Sequence, residues 1–255
     1  MHRLPCFVAA ACLAPAAYAA PIGFDVQSDF TDNFFVTNPT AAWDSRGFVR
    51  GGTIGDTATM AFDTTPDATP TNLYDGNYQI DFDLRFTATG GNPFVGVYFK
   101  TEGTAARTSP LVLIRERGAD DEYFFRSAGD MASANSGATL ESGRLGSSVV
   151  DATFNHIRLT VDEVNNNTQL QVTVEGWDSP DASQMPIWNQ SYTYSVADSA
   201  NYLGAGEVGF YFNPSNSGAN IDIDNFEVTA VPEPASLLLA SLGGIALLSR
   251  RNKLG

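Results

Sequence analysis

One histidine, His156, lies beyond the first residues of the chain, in the segment Asn155-His156-Ile157-Arg158-Leu159-Thr160-Val161. A single imidazole excludes metal centres built from several histidines and leaves one opening for a Ser-His-Asp arrangement. No G-x-S-x-G stretch supplies the nucleophile. His156 shares parity with Arg158 and Thr160, so a surface or groove-facing histidine is expected rather than a catalytic base. The acids cluster as Asp81 with Asp83, Asp120-Asp121-Glu122, Asp162-Glu163, and Asp222 with Asp224. Sugar hydrolysis needs two carboxyls across a cleft. Asp81 and Asp83 share one strand face, but Arg85 continues their row, and an exposed polar face explains all three.

Calcium suits these acids better, because Ca²⁺ gathers several oxygens at about 2.3–2.6 Å. At Asp222, Asp224 and Asn225 the apolar phase slips from odd positions (Ile221, Ile223) to even ones (Phe226, Val228). That slip signals a bulge, which can turn an Asp and a backbone carbonyl toward one point. The alternative is that Asp222 and Asp224 simply face solvent. Sugars, in turn, stack on exposed aromatic rings. Trp177 and Trp188 bracket a proline-containing loop, and Tyr192 and Tyr194 follow on one strand face. A loop at a sandwich edge is a suitable glycan site; the competing reading makes the tryptophans hydrophobic plugs and the tyrosines core.

The elements that must carry these residues read as strands. Tyr78-Gln79-Ile80-Asp81-Phe82-Asp83-Leu84-Arg85-Phe86 alternates strictly, with one face for the core and one for water. Ile157, Leu159 and Val161, and Leu170, Val172 and Val174, repeat the pattern. Val112-Leu113-Ile114 and Tyr123-Phe124-Phe125 are runs expected to be buried on both faces. Further strands are expected at 46–50, 58–62, 94–100, 191–196, 207–212 and 220–229. Clusters such as Asn165-Asn166-Asn167 punctuate them as turns. No convincing helix is found, and 128–148, rich in Ser, Ala and Gly, reads as a long loop. Short strands at this spacing predict an all-β antiparallel β-sandwich or jelly roll.

Both ends of the chain carry export grammar. Residues 1–19 combine Arg3, an apolar stretch and Ala17-Tyr18-Ala19, a signal peptidase pattern with cleavage expected after Ala19. Both cysteines, Cys6 and Cys12, would leave with it, so the mature domain has no disulfide. At the other end stand Pro232-Glu233-Pro234, an uncharged apolar run over 235–248, and Arg250, Arg251 and Lys253. At about 1.5 Å per residue the run spans about 21 Å, short of a ~30 Å hydrocarbon core, which suits transient membrane anchoring by a short transmembrane helix. The basic end should stay cytoplasmic. Without both segments the basic residues fall to 10 (14 less Arg3, Arg250, Arg251 and Lys253) against 28 acidic (29 less Glu233), a net 10 − 28 = −18. A surface so negative repels nucleic acid phosphates.

The C-terminal order of Pro232-Glu233-Pro234, apolar run and Arg250-Arg251 resembles the PEP-CTERM sorting signal of Gram-negative bacteria. That resemblance implies an exosortase that removes the tail, with delivery through the inner membrane to a cell surface or matrix rich in extracellular polysaccharide. Inside the chain, 154–162 with 169–178, and the closing Ile221-Asp222-Ile223-Asp224-Asn225-Phe226-Glu227-Val228, resemble the concanavalin A-like (laminin G-like) jelly roll. In such sandwiches the closing strand pairs with the first, which would bring Asp25 or Asp29 beside Asp224 as further calcium ligands. Laminarinase-type enzymes of that fold carry E-x-D-x-x-E, which this chain lacks. The expected organisation is therefore a signal peptide (1–19), a sandwich domain (20–230) and a sorting signal (231–255). The function expected is a non-catalytic binding or matrix protein of the polysaccharide layer, with calcium-dependent glycan binding as its finer form. A polysaccharide hydrolase or lyase on the same fold, or a purely structural matrix protein, are the alternatives.

Overall fold

A computed structural model of the protein describes residues 21–36, 41–51, 58–62, 74–87, 92–101, 108–118, 120–130, 137–146, 153–165, 167–195, 205–214 and 220–231. The elements in chain order are α1 (Gln27–Thr31), β1 (Phe35–Val36), β2 (Ala42–Asp44), β3 (Phe48–Gly51), β4 (Ala58–Ala61), β5 (Tyr78–Phe86), β6 (Phe94–Thr101), β7 (Thr108–Arg115), β8 (Glu122–Asp130), β9 (Thr139–Arg144), β10 (Asn155–Val164), β11 (Gln169–Gly176), β12 (Trp188–Tyr194), β13 (Glu207–Asn213) and β14 (Ile221–Ala230). Among the described residues the strands form two seven-stranded sheets, ordered β1-β4-β13-β6-β7-β8-β9 and β12-β11-β10-β5-β14-β3-β2. All their pairings are antiparallel. The expected β-sandwich is present.

Alternation decides the layers. Tyr78, Ile80, Phe82, Leu84 and Phe86 of β5 enter the space between the sheets with Ile157, Leu159, Val161, Leu170, Val172, Val174, Phe210 and Phe226, each at most 1 % exposed. Burying one such side chain is worth about 1.5–3 kcal/mol, and with no cysteine in the sandwich this core carries its stability. The first sheet is apolar on both faces: Phe94, Tyr98, Leu111, Leu113 and Tyr211 form a second buried cluster. That explains why Val112-Leu113-Ile114 shows no alternation. The sheets approach closely at Gly51, where an added Cβ would lie 2.0 Å from Cγ of Phe212. A salt bridge joins the two sheets. Lys100, held at φ 58 in a bulge of β6, sends its ammonium to Glu163 of β10 at 2.8 Å.

Two expectations need correction. The stretch read as a loop over 128–148 contains β9, which pairs with β8. Its sequence, Thr-Leu-Glu-Ser-Gly-Arg, gives no apolar alternation, because an edge strand with both faces partly wet needs none. A single helical turn, α1, also precedes the first strand. The turn at Asn165 and Asn167 is as expected, with both residues at positive φ, 54° and 58°. Ala17 and Ala19, the signal peptide as a whole, and Pro232, Glu233, Pro234, Arg250 and Arg251 lie outside the described residues. Among the described residues no helix is long and apolar enough to cross a membrane.

Candidate functional site

The second sheet turns a polar face away from the core, and strand register arranges that face as a grid. His156 of β10 stands opposite Asp83 of β5, which stands opposite Asp224 of β14. One step along, Arg158 faces Asp81, which faces Glu227. One step further, Thr160 faces Gln79, which faces Thr229. A groove of about 390 Å³ opens over this grid, floored by β5, β10 and β14 and walled by Pro21, Pro180 and Ala182. Backbone hydrogen bonds place the walls. Ile22 exchanges two with Phe226 (2.7 and 3.1 Å), which brings Pro21 to β14. Trp177 N–H donates to the His156 carbonyl and His156 N–H to the Ser179 carbonyl, which hooks the 177–187 loop over β10.

Hydrogen bonds fix the floor. The His156 ring lies between two carboxylates, with Nε2 2.9 Å from Asp81 Oδ1 and Nδ1 3.1 Å from Asp83 Oδ1. Asp81 also accepts from Arg158 Nε at 2.7 Å and Gln79 Nε2 at 2.6 Å, and Asp83 accepts from Asn225 Nδ2 at 2.7 Å. Burial opposes the charge on His156, but its hydrogen bonds to Asp81 and Asp83, with their charges, outweigh that and push the imidazolium up to about 9. Burial would likewise raise Asp81, yet the donors from His156, Gln79 and Arg158 hold it below the ordinary carboxylate range. Across the grid the balance reverses. Burial, with Asp83 and Asp25 nearby, pushes Asp224 up to about 6 against the Asn225 N–H it accepts. Burial and the Asp81 charge also raise Glu227.

This geometry does not suit proton transfer by His156. Both ring nitrogens are committed to carboxylates, and a group that stays protonated to about pH 9 is no general base at neutral pH. Positioned donors and acceptors over a shallow groove are instead what a polyhydroxylated ligand needs.

The expected site residues divide. Trp177 is buried, its indole N–H donating to the Gln184 carbonyl, its ring 5.2 Å from that of His156 and 5.3 Å from the Arg158 guanidinium. It packs beside His156 and Arg158 and, being 4 % exposed, offers no free face to a sugar. Trp188 and Tyr194 are core, because β12 turns them inward with Tyr192, which is partly buried against the same cluster. None of the four is a stacking platform. Asp222 is corrected as well. It is fully buried, with Arg50 on both its oxygens (2.7 and 2.9 Å) and Arg85 on Oδ2 (2.7 Å), so its charge is already matched by two guanidinium groups. Asp224 and Asn225 do sit at a register shift in β14, with Asn225 at φ 49. Asp25 lies nearby, since a Cβ on Gly23 would be 3.5 Å from Asp25 Oδ2 and 3.7 Å from Asn225 Oδ1. Asp29 turns back to accept the N–H of Val26. Among the described residues no three His, Cys, Asp or Glu side chains converge to hold a metal. Gln79, Arg158, Glu227 and Thr229 were not singled out from the sequence; the polar parity of their strands was legible, and the partner of each strand was not.

Comparison with known proteins places the C-terminal segment and the fold. Residues 230–253 match the PEP-CTERM protein-sorting motif. The PEP-CTERM segment marks an exported protein sorted to the cell surface of Gram-negative bacteria. No curated protein matches the chain in sequence. The fold is shared with solved structures of low identity. The potassium-bound Emp46p carbohydrate recognition domain is similar over 84 % of this chain and 98 % of its own, at TM-score 0.56 and 10 % identity. The lectin from Bauhinia forficata in complex with GalNAc covers 85 % of this chain with all of its own (100 %), at TM-score 0.52 and 9 % identity. A family 7 alginate lyase, A1-II′, solved with substrate, covers 83 % with 97 % of its own, at TM-score 0.50 and 13 % identity. The PEP-CTERM segment therefore follows an antiparallel jelly-roll sandwich whose fold is shared with lectin and lyase structures alike.

Proposed function

We propose that this is an exported, surface-sorted, non-catalytic protein that binds polysaccharide of the extracellular layer through the groove on β5, β10 and β14. The observation that carries the proposal is the fixed grid of amide, carboxylate, imidazolium and guanidinium groups along an open groove. These are the planar, bidentate partners that sugar hydroxyls favour, held by hydrogen bonds within the floor before any ligand arrives. The fold shared with carbohydrate-binding domains supports the binding role, and the PEP-CTERM segment supports delivery to the surface. Exosortase and signal peptidase are its processing partners in this proposal, with transient membrane anchoring through the tail.

Calcium dependence is proposed only for the corner made by Asp25, Asp224 and the Asn225 amide oxygen, since Asp222 is held by its two arginines. The test is a glycan array probed with the exported protein, in calcium and then in chelator. Binding lost in Asp81→Ala or Arg158→Ala supports the groove as the site, and equal signals in the two buffers withdraw the ion. The lyase-like fold neighbour favours one second reading, a polysaccharide hydrolase or lyase. Release of reducing ends or unsaturated sugars from a polysaccharide panel would replace the binding proposal with that one.

A further inference from the structure

The register that builds the groove also sorts its charges by side. The cations come from β10 and are used by β5: His156 by Asp81 and Asp83, and Arg158 by Asp81. On the other flank β14 sets Asp224 opposite Asp83 and Glu227 opposite Asp81. Like charges directly opposed across strands are unfavourable, and β14 brings no cation of its own to relieve them. Glu227 has no hydrogen-bonding partner among the described residues, and Asp224 accepts only the N–H of its neighbour Asn225. Among the residues that line the groove, two cations (His156, Arg158) stand against three carboxylates (Asp81, Asp83, Glu227), a balance of 2 − 3 = −1, with Asp224 beside them and Arg85 acting on it from β5. The excess lies on the β14 side.

Resting on the glycan-binding reading above, we infer that the β14 side of the groove receives an ammonium group, so that the ligand is a polysaccharide containing free amino sugars and not a polyuronate. A metal ion needs its oxygens to converge within about 2.6 Å of one point. Glu227 stands instead apart from the Asp25–Asp224 corner, three residues further along β14 and opposite Asp81. A sugar ammonium fits such a position, since it donates three charge-assisted hydrogen bonds of about 2.7–2.9 Å while the ring hydroxyls engage neighbouring groups. A uronate would set its carboxylate against the same excess negative charge. Acetylation of the amine removes both the charge and two of the donors.

The test compares the exported protein on immobilised glucosamine hexamer, its fully N-acetylated counterpart and a mannuronate hexamer, in chelator at pH 7. The glucosamine hexamer should bind about tenfold more tightly than the acetylated one, the size expected for one partly buried charge pair, and the mannuronate hexamer more weakly than both. Glu227→Gln should shrink the glucosamine preference to about threefold or less, whereas Glu175→Gln, on the same sheet face outside the groove, should leave it. The second variant separates a seat at β14 from the attraction of any polycation to an acidic protein. A glucosamine preference equal in both variants assigns it to overall charge and overturns the inference. Equal binding of amine and acetamide, or tighter binding of the uronate, overturns the charge class while leaving glycan binding standing. No binding to any hexamer or to the array removes the groove as a glycan site and the inference with it.

Discussion

The charged His156 between Asp81 and Asp83 gives the domain a pH signature that can be worked out in advance. Its pKa is raised in the folded protein from 6.5 to about 9. The stabilisation is therefore fully present below about pH 6.5 and is lost as pH rises through about 9. At about 1.36 kcal/mol per pH unit the rise corresponds to about 3.4 kcal/mol at full strength, of which about 2.5 kcal/mol disappears between pH 7 and pH 10. The groove admits solvent on one side, and Arg158 already compensates part of the Asp81 charge, so about half of that, 1–1.5 kcal/mol, is expected in practice. Urea titrations of wild type and His156→Gln at pH 7, 8, 9 and 10 isolate this contribution, because groups common to both proteins cancel in the difference. The wild-type advantage should shrink by about 1–1.5 kcal/mol across the series. A difference that stays flat from pH 7 to 10 would refute the assignment of a protonated histidine to this site.

Three further outcomes follow from packing and charge. Asp222→Ala strips a fully buried carboxylate from Arg50 and Arg85, and should cost about 3 kcal/mol in chemical denaturation. Lys100→Met leaves Glu163 almost buried without its cation; it should destabilise by about 3 kcal/mol, and most of that loss should return in the double variant Lys100→Met/Glu163→Gln. Gly51→Ala places a methyl 2.0 Å from the ring of Phe212, so the sheets must part or the ring must turn. The melting temperature should fall by an amount equivalent to about 2–3 kcal/mol, and an unchanged value would argue against that close approach.

How far the sequence could be read depended on the range of the interaction. Alternation in β5, β10 and β11 is local and identified their inner faces residue by residue, and the phase slip at Asp224 located the β14 irregularity. The fate of charged residues was not local. Asp222 has the parity of a solvent-facing side chain, and its burial depends on Arg50 and Arg85, which lie 172 and 137 residues away in the chain. Trp177 and Trp188 showed their size but not the direction they face, which β12 pairing and the Gln184 carbonyl decide. The grid of His156, Asp81, Asp83 and Glu227 likewise needs the order β10-β5-β14. Each of those rows was visible separately as an ordinary polar face, and only strand order turns three ordinary faces into one site.

The position of β14 has a mechanical consequence. It lies inside its sheet, paired with β5 on one side and β3 on the other, and the Val231 N–H still donates to the Asn77 carbonyl at 2.9 Å. The sorting motif begins at residue 230, so it starts on the last rung of this ladder with no slack chain between. A tug on the residues beyond Val231 therefore runs along the axis of a strand held by β5 at both of its ends and by β3 over Ile221–Ile223. It loads many hydrogen bonds together in shear rather than peeling them one at a time, and the short bridge from Ile22 to Phe226 adds to the grip. Force on the chain end that carries the sorting motif is thus met along a strand in the sheet and not at a loosely held terminus.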